Sequence, residues 1–313
     1  MEMITTMITP YRPDGSIDYD LACRYVDWYY ENRLDGIFAV CQSSEIFHLT
    51  LEERVELNRV VYARARELER RGHRPFVVVS SGHVSDSPED QALELNAICQ
   101  SGTDALILIT NRLDPKHEGD DVWIAQAEAL LAQLPNSIPL GLYECPYPYK
   151  RLVTPKILDW CLSTRRFSYM KDTCCDAAEI ARRCRQLQGS GFKLLNANSQ
   201  TLLETMRTGA NGYCGIMCNF HPRLYAWLGR HWNDQPEQAQ LVQSIIGTFG
   251  FIEGGLPYPL TAKYHMELCG LASANLARTL PGRQLTAYDR SCIQQMKLAA
   301  DALERMLFAE CPD

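Results

Sequence analysis

Eight short, largely apolar runs, separated by longer stretches with helical spacing, constrain this chain more than any other feature. They lie at 3–8, 36–40, 76–79, 105–109, 138–143, 167–170, 192–195 and 213–217. The runs are continuous rather than alternating, as expected of parallel strands covered on both faces. The gaps between them read as amphipathic helices. Over 19–32, Leu21, Tyr25, Val26 and Tyr29 fall on one helical face. Thr50-Leu51-Glu52-Glu53 opens the helix expected over 50–69 with a capping box, in which Glu53 reaches back to the cap N–H. Ser87-Pro88-Glu89 starts the next helix with a cap, a first-turn proline and an acid.

Eight strand–helix units of this kind predict an α/β fold, a (β/α)8 TIM barrel. An open doubly wound sheet is the alternative, but no glycine-rich phosphate loop follows the first run. Beyond about Pro222 the pattern is helical only, interrupted by Gly254-Gly255-Leu256-Pro257. The expected organisation is a barrel over 1–221 that carries the active site. A C-terminal helical domain of roughly three helices follows over 222–313.

Charge and cysteine content narrow the function. Of 313 residues, 31 are Lys or Arg and 38 are Asp or Glu, a net charge of −7. That balance argues against nucleic-acid or anionic-membrane partners. No apolar run approaches the roughly 20 residues needed to span a bilayer, and the N-terminal stretch lacks the pattern of a signal peptide. A cytoplasmic protein is expected. The 13 cysteines are odd in number and include no CxxC pair, so most are expected to be small buried hydrophobes rather than a disulfide framework.

In a barrel of this kind the working face lies at the C-terminal ends of the strands. Tyr143 ends the fifth run and Lys171 follows the sixth, so the two are expected side by side. An amine among apolar strand ends loses hydration, which favours its neutral, nucleophilic form. Such an amine attacks a carbonyl to give a Schiff base, and a neighbouring phenol passes the protons that this requires. Taken locally, the simpler reading is a strand-end lysine that reaches solvent and a tyrosine packed with its hydroxyl in water. Cys41-Gln42-Ser43-Ser44-Glu45, after the second run, offers hydroxyls and backbone N–H groups for a carboxylate, with Glu45 bracing the loop. Tyr143-Glu144-Cys145-Pro146 fixes the chain where it leaves the fifth strand.

Together these features resemble the pyruvate-dependent class I aldolase family, whose members include dihydrodipicolinate synthase and N-acetylneuraminate lyase. Ser44-Glu45 with Leu49-Thr50-Leu51-Glu52-Glu53 is similar to the family's G-[ST]-T-G-E motif and the helix behind it. Tyr143 to Pro146 is similar to Y-N-x-P, and Met170-Lys171-Asp172 to the Schiff-base lysine segment. Thr9-Pro10, Asp14 to Asp18, Gly209 to Gly215, and Pro259 with Lys263 to Leu271 also follow the family pattern.

The resemblance implies a lyase, an aldolase or dehydratase, acting on pyruvate or a larger 2-keto acid. Lys171 would form the imine and Tyr143 would act as acid and base. Ser43 would hold the keto-acid carboxylate with Ser44 adjacent, and Gln42 and Ile216 would complete the substrate contacts. It implies no metal or separate cofactor, only the covalent lysine imine with substrate, and a homotetramer or dimer.

Three positions depart from the synthase pattern. Gln42 stands where the synthase has a relay threonine, Thr110-Asn111-Arg112-Leu113-Asp114 has no tyrosine, and Pro148 replaces an arginine. A carboxamide hydrogen-bonds but does not shuttle protons. A larger 2-keto sugar acid fits these changes better than the synthase substrate, with Arg112 or Lys150-Arg151 as candidates for an additional carboxylate. The alternatives are a barrel without turnover that binds a small acid in a regulatory role, or true dihydrodipicolinate synthase activity. His48, His83 and His117 are weaker candidates in loops near the working face.

Overall fold

The computed structural model describes residues 1–310. Eight parallel strands close into a barrel in chain order: β1 (Glu2–Thr6), β2 (Gly36–Phe38), β3 (Val77–Ser80), β4 (Ala105–Ile109), β5 (Leu140–Tyr143), β6 (Phe167–Asp172), β7 (Lys193–Asn196) and β8 (Gly212–Gly215). Each overlaps one of the apolar runs. The closed barrel therefore replaces the open-sheet alternative. At the seam, Ile4 of β1 pairs with Cys214 of β8. Gly212 is required there, because its φ is +149° and a Cβ would lie 1.9 Å from the Glu2 carbonyl oxygen.

The outer layer comprises α1 (Tyr19–Glu31), α2 (Leu51–Gly72), α3 (Pro88–Ser101), α4 (Asp120–Leu131), α5 (Pro155–Thr164), α6 (Ala177–Leu187), α7 (Leu202–Arg207) and α8 (Pro222–His231). The expected caps are present. Glu53 N–H donates to Thr50 Oγ1 at 3.2 Å and Thr50 N–H donates to the Glu53 carboxylate at 3.0 Å. Ser87 Oγ accepts the Asp90 N–H at 3.3 Å, with Pro88 in the first turn of α3.

Helices α9 (Pro236–Glu253), α10 (Leu260–Leu268) and α11 (Ala287–Glu310) complete the described chain. Leu260, Ala262 and Met266 of α10 share one apolar core with β1 to β3 and α1, while a second core lies under α3 to α6. The helical region is therefore built into the wall of the barrel. Among the described residues no helix is long and apolar enough to cross a membrane. The twelve described cysteines are all free, but only Cys41, Cys145, Cys161, Cys214 and Cys218 are fully buried. The expectation that most are core residues is thus corrected: helix faces and loops leave the others partly or wholly in contact with solvent.

Candidate active site

The β5–β6 register places Tyr143 opposite Lys171 at the C-terminal end of the barrel. Both side chains line a cavity of about 340 Å3 with Gln42, Ser43, Thr173 and Ile216 among the other walls. Lys171 Nζ lies 4.2 Å from the centroid of the Tyr143 ring and 5.7 Å from that of Phe38. The two rings meet edge to face at 5.5 Å. Among the described residues Lys171 forms no ion pair and donates no hydrogen bond within the chain. Its amine faces the cavity from an aromatic corner.

Burial pushes the Tyr143 hydroxyl well above the usual phenol range. It keeps its proton at neutral pH and donates to Gln42 Oε1 at 3.4 Å. The Cys145 thiol donates to the same oxygen, also at 3.4 Å, and burial raises its pKa too. Cys41, again raised by burial, is buried beneath the loop that carries Gln42.

That loop is a short 3-10 turn over Gln42–Ser44. Ser43 reaches the cavity wall and its hydroxyl donates to Thr6 Oγ1 of β1 at 3.0 Å. Ser44, expected beside it as a substrate contact, does not line the cavity. Its Oγ accepts the Cys41 N–H at 2.7 Å and donates to the Cys41 carbonyl at 2.7 Å. The side chain is turned into the turn it closes, while that of Ser43 reaches the cavity wall.

Glu45 follows in a left-handed conformation, φ +64°. Its carboxylate pairs with Lys263 of α10 at 2.9 Å and accepts the Thr279 N–H at 2.9 Å. Lys263 also donates to the Leu276 carbonyl at 2.7 Å. Burial lowers the Lys263 pKa, while Glu45 opposes that shift. Through this pair the helical region holds the loop after β2.

A second buried network supports Lys171. Glu144 accepts the backbone N–H of Val153 at 2.7 Å and of Thr173 at 2.8 Å. Arg183 bridges Glu144, at 3.0 Å, and Asp172. Burial and the Asp172 charge push the Glu144 carboxyl up to about 7 despite the guanidinium. The result is a stiff support on both sides of the Tyr143–Lys171 pair.

The basic candidates for a further carboxylate are engaged elsewhere. Arg112 pairs with Asp86 at 2.8 Å. Arg151 pairs with Asp114 at 3.2 Å and Asp120 at 2.7 Å, and Lys150 donates to the Thr173 carbonyl at 2.8 Å. None of the three lines the cavity. The histidines have structural partners as well. His83 accepts the Ile109 N–H on Nε2 at 2.7 Å, and burial pushes its pKa down to about 4. His117 packs against Tyr149, and the His48 carbonyl accepts from Arg278. Among the described residues no group of three or more His, Cys, Asp or Glu is placed to hold a metal ion.

Thr173, Ala197, Tyr258 and Thr279 line the cavity without having been singled out as site residues. They sit in loops with no periodic signal. Only Pro259, within the segment resembling the family's, pointed toward this part of the wall.

Residues 1–110 match the model of the dihydrodipicolinate synthetase family. A 4-hydroxy-tetrahydrodipicolinate synthase of Saccharophagus degradans is 24% identical over 87% of this chain and 98% of its own length. That of Anaplasma marginale is 24% identical over 97% and 96%. Among solved structures, the dihydrodipicolinate synthase of Cyanidioschyzon merolae with lysine bound superposes with a TM-score of 0.83 at 21% identity. It covers 96% of this chain and 98% of the other. A prophage protein of the dihydrodipicolinic acid synthase family from E. coli K12, solved with pyruvate, gives 0.81 at 20% identity, covering 97% and 98%.

Proposed function

We propose that the chain belongs to the dihydrodipicolinate synthetase family, whose model its residues 1–110 match, and that it is a Schiff-base-forming lyase acting on pyruvate or another 2-keto acid through Lys171. The observation that carries this reading is the Lys171 amine, without an ionic partner among the described residues, facing the cavity 4.2 Å from the Tyr143 ring.

The amine adds to the keto carbon, and loss of water from the carbinolamine gives the imine. Tyr143 supplies and recovers the protons of these steps, because its buried hydroxyl is protonated at neutral pH and stands beside the reacting nitrogen. Ser43, at the cavity wall, holds the keto-acid carboxylate. Gln42 and Ile216 border the substrate. The protonated imine then accepts the electron pair released when a bond at the adjacent carbon breaks, which permits C–C cleavage, its reverse, or loss of water. The chemistry resides in the covalent imine itself, with no additional cofactor.

We further read the protein as cytoplasmic and as a homotetramer or dimer, to be checked by light scattering of the purified chain. A synthase variant described as the first monomeric one shares this fold, with a TM-score of 0.84.

Borohydride reduction in the presence of pyruvate tests the function. A stable adduct is expected on the peptide carrying Lys171. An unmodified Lys171 with pyruvate and with larger 2-keto acids would overturn the reading.

A further inference from the structure

We propose that the substrate bound by Lys171 carries a single carboxylate, that its remaining portion is uncharged, and that Gln42 reads a hydroxyl on that portion. This rests on the imine reading above and names the class of aldehyde that the enzyme releases or condenses.

Lys171 is the only cationic side chain among the described residues that line the cavity. The rest of the wall is apolar at Pro146, Ile216 and Pro259, and neutral but polar at Thr173 and Thr279. Thr279 already donates both its N–H and its hydroxyl to Glu45, at 2.9 and 3.2 Å. Arg151 is held by the buried Asp114 and by Asp120, so taking it away would strand a buried carboxylate, and Arg112 is tied to Asp86 and lies outside the cavity lining. A second carboxylate entering this cavity would lose hydration and find no cation in return, which is strongly unfavourable. A neutral chain avoids that penalty. The volume, about 340 Å3, lies at the small end of ligand cavities and suits a compact molecule.

Gln42 supplies the positive recognition. Its Oε1 accepts from both Tyr143 Oη and Cys145 Sγ. With the oxygen anchored on that side, the amide N–H2 of the same group is directed away from the pair, and among the described residues it has no partner. A free carboxamide donor on a cavity wall matches a hydroxyl or carbonyl oxygen, and it does not neutralise a charge.

The test uses the purified full-length protein. Borohydride trapping with pyruvate comes first, because failure to label Lys171 sinks the imine reading rather than this proposal. With trapping established, pyruvate consumption is followed with glyceraldehyde, propanal and succinic semialdehyde. The two neutral aldehydes should exceed succinic semialdehyde in kcat/KM by at least roughly tenfold. Equal use of the three, preference for the semialdehyde, or no consumption of any of them would overturn the proposal. In Gln42→Ala the loss should fall on glyceraldehyde by roughly tenfold more than on propanal, which lacks the hydroxyls. An equal loss on both would remove Gln42 as the hydroxyl reader.

Discussion

Tyr143 and Lys171 occupy paired positions on adjacent strands, and the lysine nitrogen stands 4.2 Å over the phenol ring. The ring shapes the space around the amine, and in the proposed reaction the hydroxyl at its edge handles protons. Tyr143→Phe separates these two contributions. The ring and its contact with Phe38 persist, so thermal stability should change little. Turnover should fall by about 10²–10⁴, the usual contribution of a general acid–base group. Lys171 should still be trapped by borohydride, more slowly. A steady-state assay showing wild-type kcat would refute the proton role.

The adjacent serines separate binding from architecture. Ser43→Ala removes a cavity hydroxyl and should raise the KM for the keto acid roughly tenfold with little change in melting temperature. Ser44→Ala removes the hydroxyl that both accepts from and donates to Cys41. Its main effect should be a loss of about 1–3 kcal/mol of stability in urea titration, since the Cys41 N–H is then left buried and unpaired. A KM effect at 44 as large as that at 43 would contradict the placement of its side chain.

Lys263 and Glu45 are both fully buried, so removing one partner strands a charge. Lys263→Met should cost about 3–5 kcal/mol. The double variant Lys263→Met/Glu45→Gln should recover part of that loss. Denaturant titrations of the single and double variants measure the coupling, and simple additivity would show that the pair is not a unit.

Glu253 predicts a pH dependence. Burial pushes its carboxyl up to about 8, and its Oε2 has no partner among the described residues. The folded state therefore holds a proton that the unfolded chain releases near pH 4.5. Stability contributed by this group is present below about 4.5 and declines as pH rises toward 8, at about 1.4 kcal/mol per pH unit. Glu253→Gln should flatten this decline and stabilise the protein most above pH 8. Parallel melting curves at pH 5 and 8.5 check it, and an equal shift at both values would reject the assignment.

The strands were legible because burial on both faces writes itself as continuous apolar runs. The Tyr143–Lys171 pairing followed from consecutive strand ends lying side by side in a barrel. What escaped detection depends on contacts between distant loops. Thr279 and Tyr258 reach the cavity from segments without periodicity. Arg112 and Arg151 look available in the sequence, and only the fold shows Asp86, Asp114 and Asp120 already holding them. Ser44 differs from Ser43 solely in which way a three-residue turn directs it.

The Glu45–Lys263 pair also bears on when the protein becomes competent as it is made. The last barrel strand ends at Gly215, yet the loop after β2 is held by a residue 218 positions beyond Glu45. Synthesis proceeds from the N-terminus, so a nascent chain can have every strand available while the Glu45 carboxylate of the loop after β2 still awaits its cation. Lys171 is therefore translated well before its surroundings are complete. A ribosome-bound fragment ending after β8 would carry Lys171 without the finished cavity, to whose wall Tyr258, Pro259 and Thr279 contribute.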